Sequence, residues 1–140
     1  MMKATIELQN NVHFRATAGS GAVIDMDGPA EFGGEGKGAR PMETMLIGMG
    51  GCASFDVVHI LRKGRLEVNS CVAEIEAERA DTEPKVFTKI HLHFIVSGAG
   101  LTAKAVAKAV ELSAEKYCSA SIMLGKTADI THSFEIVDKQ

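Results

Sequence analysis

Two of the three cysteines carry the most promising chemistry in this chain. Cys52 lies in GMGGCAS and Cys118 in EKYCSAS, each among small residues that leave room around a sulfur. A thiolate attacks peroxides and disulfides, and a sulfenic acid formed on one cysteine can be condensed by a second. The competing reading is that both only fill space, since free cysteine is among the most buried residue types. Cys71, between Ser70 and Val72 on an alternating segment, is the weakest of the three candidates.

Other reactive side chains gather less well. On a helix, Cys52, Asp56 and His59 fall at i, i+4 and i+7, on one side, as a nucleophile, an orienting acid and a base would. A buried helix with one wet strip gives the same spacing, and that is the simpler reading. His91 and His93 share a strand face and could bind a metal. No cysteine or carboxylate pattern completes a site beside them, so two solvated histidines near Lys89 are expected instead. GGEGKGAR (residues 33–40) places Gly38 where a phosphate-binding loop needs Ser or Thr after the lysine, and no dinucleotide fingerprint opens a helix. No metal and no cofactor is therefore expected.

The elements that must position the cysteines can be read from spacing. Residues 3–8, 12–17 and 22–26 suit short antiparallel strands, the last two split by Gly19-Ser20-Gly21. Residues 28–39 are glycine-rich and read as a loop with mobility of its own. Pro41 suits a first helical turn, and apolar residues at helical spacing run from Met42 to Leu61. Ile47, Phe55 and Val58 widen this stripe nearly all round, which implies burial on all sides. Arg62 and Lys63 fit the last turn, and Gly64 is the expected stop. Gly48, Gly50 and Gly51 each cost about 1 kcal/mol against alanine inside a helix, so close backbone approach is expected there. Alternation predicts strands over 68–79, 86–96 and 129–137. A second helix is expected over 101–117, with Thr102 as its N-cap and Cys118 at its end. Strands and helices segregated in this way indicate an α+β fold.

Composition limits the function classes. The chain has 140 residues, 46% hydrophobic and 24% charged, which suits one globular domain over 1–140. Its net charge of −3 speaks against a nucleic-acid partner. No uninterrupted apolar run approaches the ~20 residues of a membrane span, so no membrane partner is expected. An odd cysteine count is no disulfide framework. With no apolar signal core after Met1-Met2-Lys3, a cytoplasmic location is expected.

The order of elements, the proline-led helix with GMGGC in its middle, and SAEKYCSASIML around the second cysteine resemble the OsmC/Ohr superfamily over essentially the whole chain, closest to its OsmC-like branch. The resemblance implies an α+β, OsmC-like fold of antiparallel sheets around a long central cysteine-bearing helix, in an intertwined homodimer. It would place Gly48, Gly50 and Gly51 at tight helix contacts. It further implies thiol-dependent reduction of organic hydroperoxides, with Cys52 as the attacking thiolate, Cys118 as the resolving thiol and an external thiol as reductant. Two positions depart from the peroxidase pattern. Met42 stands where the family has a glutamate, with Glu43 one place later, and Gly19 stands at the family arginine, leaving Arg40 or Arg15 as substitutes. Cys52, Cys118, Glu43 and Arg40 are thus the expected catalytic set. The alternative is a non-catalytic dimer of the same fold that binds a small apolar or thiol-reactive ligand, or senses redox state.

Overall fold

The computed structural model describes residues 1–138; residues 139–140 of the expected domain lie outside them. The chain forms two compact units that meet within one helix, Met1–Ile47 and the remainder from Gly48.

The first unit is a meander. Strands β1 (Ala4–Asn10), β2 (His13–Ala18) and β3 (Val23–Met26) pair in that order, all antiparallel, with Ile6 opposite Ala16 and Phe14 opposite Met26. Asn11 turns β1 into β2 at φ 49°, a left-handed conformation asparagine tolerates better than most residues. The glycine-rich segment is not the free loop its composition suggests. The buried Asp27 carboxylate accepts backbone N–H bonds from Gly28 (2.8 Å), Glu35 (2.9 Å) and Lys37 (3.1 Å), pinning the segment at three points. A Cβ on Gly38 would lie 2.2 Å from the Asp25 carbonyl oxygen, so the backbones approach as only glycine allows. Ile6, Leu8, Val23 and Ile24 stand exposed.

Helix α1 (Pro41–Lys63) runs unbroken, as the spacing predicts. Its start is half a capping box: the Arg40 N–H donates to Glu43 Oε1 at 2.8 Å. The helix stops before Gly64, as expected, and Arg65 takes the left-handed position, at φ 66°. The Leu66 N–H reaches the Leu61 carbonyl and the Arg65 N–H that of Arg62, closing a Schellman motif. By length and composition alone α1 would suffice to cross a bilayer, with a mean hydropathy of 1.5 over 18 residues, although no uninterrupted apolar run that long was expected. Glycines, Asp56 and His59 interrupt it, and Met49, Gly50, Ala53, Val57 and Leu61 are buried within the protein.

In the second unit, β4 (Ser70–Arg79), β5 (Phe87–Ser97) and β6 (Asp129–Ile136) form a sheet with β5 central. The sheet is mixed, which corrects the expectation of antiparallel sheets: β4 and β5 are antiparallel, but β6 lies parallel to β5. The helical connection from β5 to β6 brings the chain back to the sheet end where β5 began, so β6 starts in the same direction. Ile90, Leu92, Phe94 and Val96 form one face of β5 and are buried; Val57 and Leu61 of α1 and Val106, Ala109 and Val110 of α2 (Ala103–Leu112) share that core.

Within the chain the three glycines of α1 have different surroundings. A Cβ on Gly50 would meet Ile75 Cδ1 of β4 at 2.8 Å, so this glycine admits a sheet side chain rather than a helix. Gly48 and Gly51 have open space beyond them within the chain.

The second helix also ends sooner than its apolar pattern. Thr102 caps it as expected, accepting from the Ala105 N–H at 3.1 Å. After Leu112 the backbone widens into a single π turn, Ser113–Tyr117, closed by the Cys118 N–H on the Ser113 carbonyl at 2.8 Å. A short helix that spacing did not reveal, α3 (Ser119–Leu124), then begins with Cys118 as its N-cap.

Candidate active site

Helix α1 presents Cys52 and, one turn on, Asp56 on the same face. The π turn inserts an extra residue per turn just before Cys118, a distortion frequent at functional sites. Together these bring Cys52 Sγ, Cys118 Sγ and an Asp56 carboxylate oxygen within 4.8 Å of one another. Both thiols are free.

The two sulfurs differ in environment. Cys118 is fully buried, whereas Cys52 is half-buried. Burial pushes the Cys118 thiol up. The Ser121 hydroxyl (3.0 Å) and backbone N–H (3.3 Å) donate to its sulfur and partly offset this, and the neighbouring Cys52 raises it further. A raised pKa favours the neutral thiol of Cys118, through its burial and its neighbour. Asp56 is oriented from the π turn: the Ser113 hydroxyl donates to its Oδ2 at 3.0 Å and lies 3.4 Å from the Ala53 carbonyl oxygen.

A cleft of about 580 Å³ opens beside this cluster, lined by Phe55, Asp56, His59, Ile60, Leu112 and Tyr117 among others. Its wall is mostly apolar, and Asp56 is common to the cleft and the cysteine cluster. His59 does not complete a nucleophile–acid–base row. Its ring stacks on Phe55, with centroids 5.7 Å apart and planes 9° apart.

The remaining candidates have other partners. Glu43 accepts the Arg40 N–H at the start of α1, and both are exposed. Arg15 Nε donates to Asp25 Oδ1 at 3.0 Å, and His13 joins the same carboxylate oxygen at 2.8 Å. Cys71 is half-buried on β4, and burial pushes its thiol up, an effect the nearby Ser54 of α1 partly offsets. His91 and His93 are not loose surface histidines. All four ring nitrogens meet β6: His91 contacts Thr131 (2.6 Å) and Ser133 (2.8 Å), and His93 contacts Ser133 (2.6 Å) and Glu135 (2.8 Å). Sequence reasoning missed Ser113 and Ser121. For Ser113 the available signal was its polarity, a hydroxyl in a stretch otherwise read as helix packing; Ser121 lay beyond any element read from the spacing.

Relatives of known name or structure share this architecture. The chain is 46% identical over 136 residues, 97% of its length and 98% of the relative's, to the protein YhfA of Escherichia coli. A hypothetical protein from Aquifex aeolicus superposes with a TM-score of 0.86 at 31% identity, covering 100% of this chain and 98% of that one. The organic hydroperoxide resistance protein OsmC from Legionella pneumophila superposes with a TM-score of 0.73 at 20% identity, covering 96% of each chain, which speaks to the fold alone. The OsmC-like protein family matches residues 34–133, a span that holds both cysteines, Asp56 and the serines that orient them. With its sequence, its fold and its paired cysteines in agreement, the chain belongs to the OsmC-like family.

Proposed function

We propose that this protein is a thiol-dependent peroxidase that reduces organic hydroperoxides through Cys52 and Cys118. The observation that carries the reading is the close approach of a half-buried thiol and a fully buried one within 4.8 Å. The Cys52 thiolate attacks the distal peroxide oxygen, the O–O bond breaks, and the leaving alkoxide takes a proton to become an alcohol. Cys52 is then a sulfenic acid. The Cys118 sulfur attacks it, the hydroxyl departs as water with the thiol proton, and a disulfide forms. Two electrons from an external thiol restore both cysteines. The apolar cleft beside Asp56 suits the organic part of such a peroxide.

The working molecule in this reading is a cytoplasmic homodimer. Supporting it, Ile122 and Met123 are exposed in the second unit, apolar side chains that a lone chain leaves wet. A second reading, a ligand-binding or redox-sensing dimer without turnover, draws on Glu43 and Arg15. The first serves as a helix cap and the second is paired with Asp25, so neither is free to activate a thiol. Rapid mixing of the reduced protein with cumene hydroperoxide separates the two. Consumption of one equivalent well above the rate of free cysteine supports the peroxidase; a rate no faster than free cysteine overturns it in favour of the second reading.

A further inference from the structure

The cysteine cluster includes a carboxylate that the thiol chemistry above does not use. Asp56 brings an oxygen within 4.8 Å of both sulfurs, and its other surroundings fix it: Ser113 on Oδ2 and the rigid α1 backbone beneath. Two thiols and a carboxylate form a donor set for a borderline-soft divalent cation. Cys52 and Asp56 supply two ligands one helical turn apart, the spacing by which a single helix offers two ligands to zinc. Cys118, just after the π turn at the N-cap of α3, supplies the third.

We propose that Cys52, Asp56 and Cys118 in the reduced protein form a three-ligand site for a thiophilic divalent cation of the Zn²⁺ class, with a fourth position open to the Phe55–Tyr117 cleft.

The geometry is within reach. With Zn–S near 2.3 Å and Zn–O about 2.0–2.2 Å, tetrahedral ligands sit roughly 3.5–3.8 Å apart. Contraction from 4.8 Å by about 1 Å is a side-chain rotation. The supporting contacts that hold ligands in place are present: Ser113 on Asp56, and the Ser121 hydroxyl and N–H on Cys118. The cleft that Asp56 lines provides an entry path. Three protein ligands with one open position is the arrangement of exchangeable rather than sealed zinc sites. Binding expels the two thiol protons to solvent and ties up both sulfurs. The reduced pair can thus hold the metal or react with an oxidant, and a disulfide between the cysteines releases the cation. This site stands apart from the peroxidase reading, because the cation needs no peroxide to bind.

The test uses the whole protein, stripped with chelator and kept reduced without oxygen, titrated with Zn²⁺ against a chromophoric chelator. One Zn²⁺ per chain is expected. Co²⁺ in its place is expected to give a sulfur-to-metal charge-transfer band and strong tetrahedral d–d bands. Asp56→Asn should weaken binding at least tenfold, whereas Asp56→His, which restores a ligand, should keep it within a few-fold of wild type. Cys118→Ser should remove part of the charge-transfer intensity, Cys71→Ser should leave binding unchanged, and the disulfide form should not compete for the metal. Reduced protein that fails to take one equivalent, binding that moves with Cys71, or equal affinity in wild type and Asp56→Asn would each overturn the site. These readouts use no peroxide, so a protein without peroxidase activity that binds Zn²⁺ as described would defeat only the earlier reading.

Discussion

At the scale of single residues, environment divides chemically identical groups. Of the two clustered cysteines, Cys118 is fully buried and its thiol pKa is pushed up by that burial, while Cys52 is only half-buried. Small neighbours marked both sulfurs in the sequence, but nothing in the sequence ranks them by burial. Asp27 shows the same effect on a carboxylate. The backbone N–H groups of Glu35 and Lys37, with that of Gly28, favour its charged form and lower its pKa despite burial. A depressed folded value means the stabilisation is present above the unfolded carboxylate pKa, near 3.9, and is lost only as pH falls through the lower folded value. The Gly28, Glu35 and Lys37 amide resonances should therefore titrate together with a midpoint below about 3.9. In Asp27→Asn, one carbonyl oxygen replaces two acceptors, and the 28–39 segment should become susceptible to limited proteolysis at neutral pH. A midpoint at or above the ordinary carboxylate value, or unchanged proteolysis, would show that these bonds do not order the segment.

At the scale of elements, legibility followed how much of each boundary is written in side chains. Helix α1 announces itself by Pro41, by its apolar spacing and by Arg62 and Lys63, and the structure follows that range to Lys63. Its stop falls at Gly64 as read, while the left-handed conformation falls one residue later, on Arg65, which a side chain of that type does not announce. The π turn at Ser113–Tyr117 and the parallel pairing of β6 were not legible. Both are backbone hydrogen-bond choices made after tertiary packing, and the apolar pattern of residues 101–117 continues through the π turn unchanged. Arg65 offers a test at this scale. A non-glycine residue in the left-handed region costs roughly 1 kcal/mol. Arg65→Gly should therefore raise the unfolding free energy by about 0.5–1 kcal/mol, measured by urea denaturation, without changing its slope. A loss of stability would mean the Arg65 side chain contributes more than its backbone strain costs.

At the scale of the whole molecule, several apolar residues find no cover inside the chain. Ile6, Leu8 and Ile24 in the first unit and Met123 in the second stand more than half exposed, at 52% to 68%. Gly48 and Gly51 have nothing beyond them, although glycine inside a helix is costly. The homodimer proposed above would cover both, in line with the sequence's nearly all-round apolar helix. Sedimentation at micromolar concentration should give a dimer. Gly51→Leu should shift it toward monomer if this glycine sits in the protomer contact. A clean 14.9 kDa species for the wild type would contradict the dimer.

The account depends most on Cys52 and Cys118 acting as one redox pair. The direct measurement is peptide mass mapping after one equivalent of organic hydroperoxide is added to the reduced protein. Wild type and Cys71→Ser should both yield an intramolecular Cys52–Cys118 disulfide, since the sulfurs already lie within 4.8 Å. Cys118→Ser should instead leave Cys52 as sulfenic and then sulfinic acid, because no second thiol is in reach to trap the first product. Oxidation appearing first at Cys71, or the same Cys52 product in wild type and Cys118→Ser, would contradict the pairing.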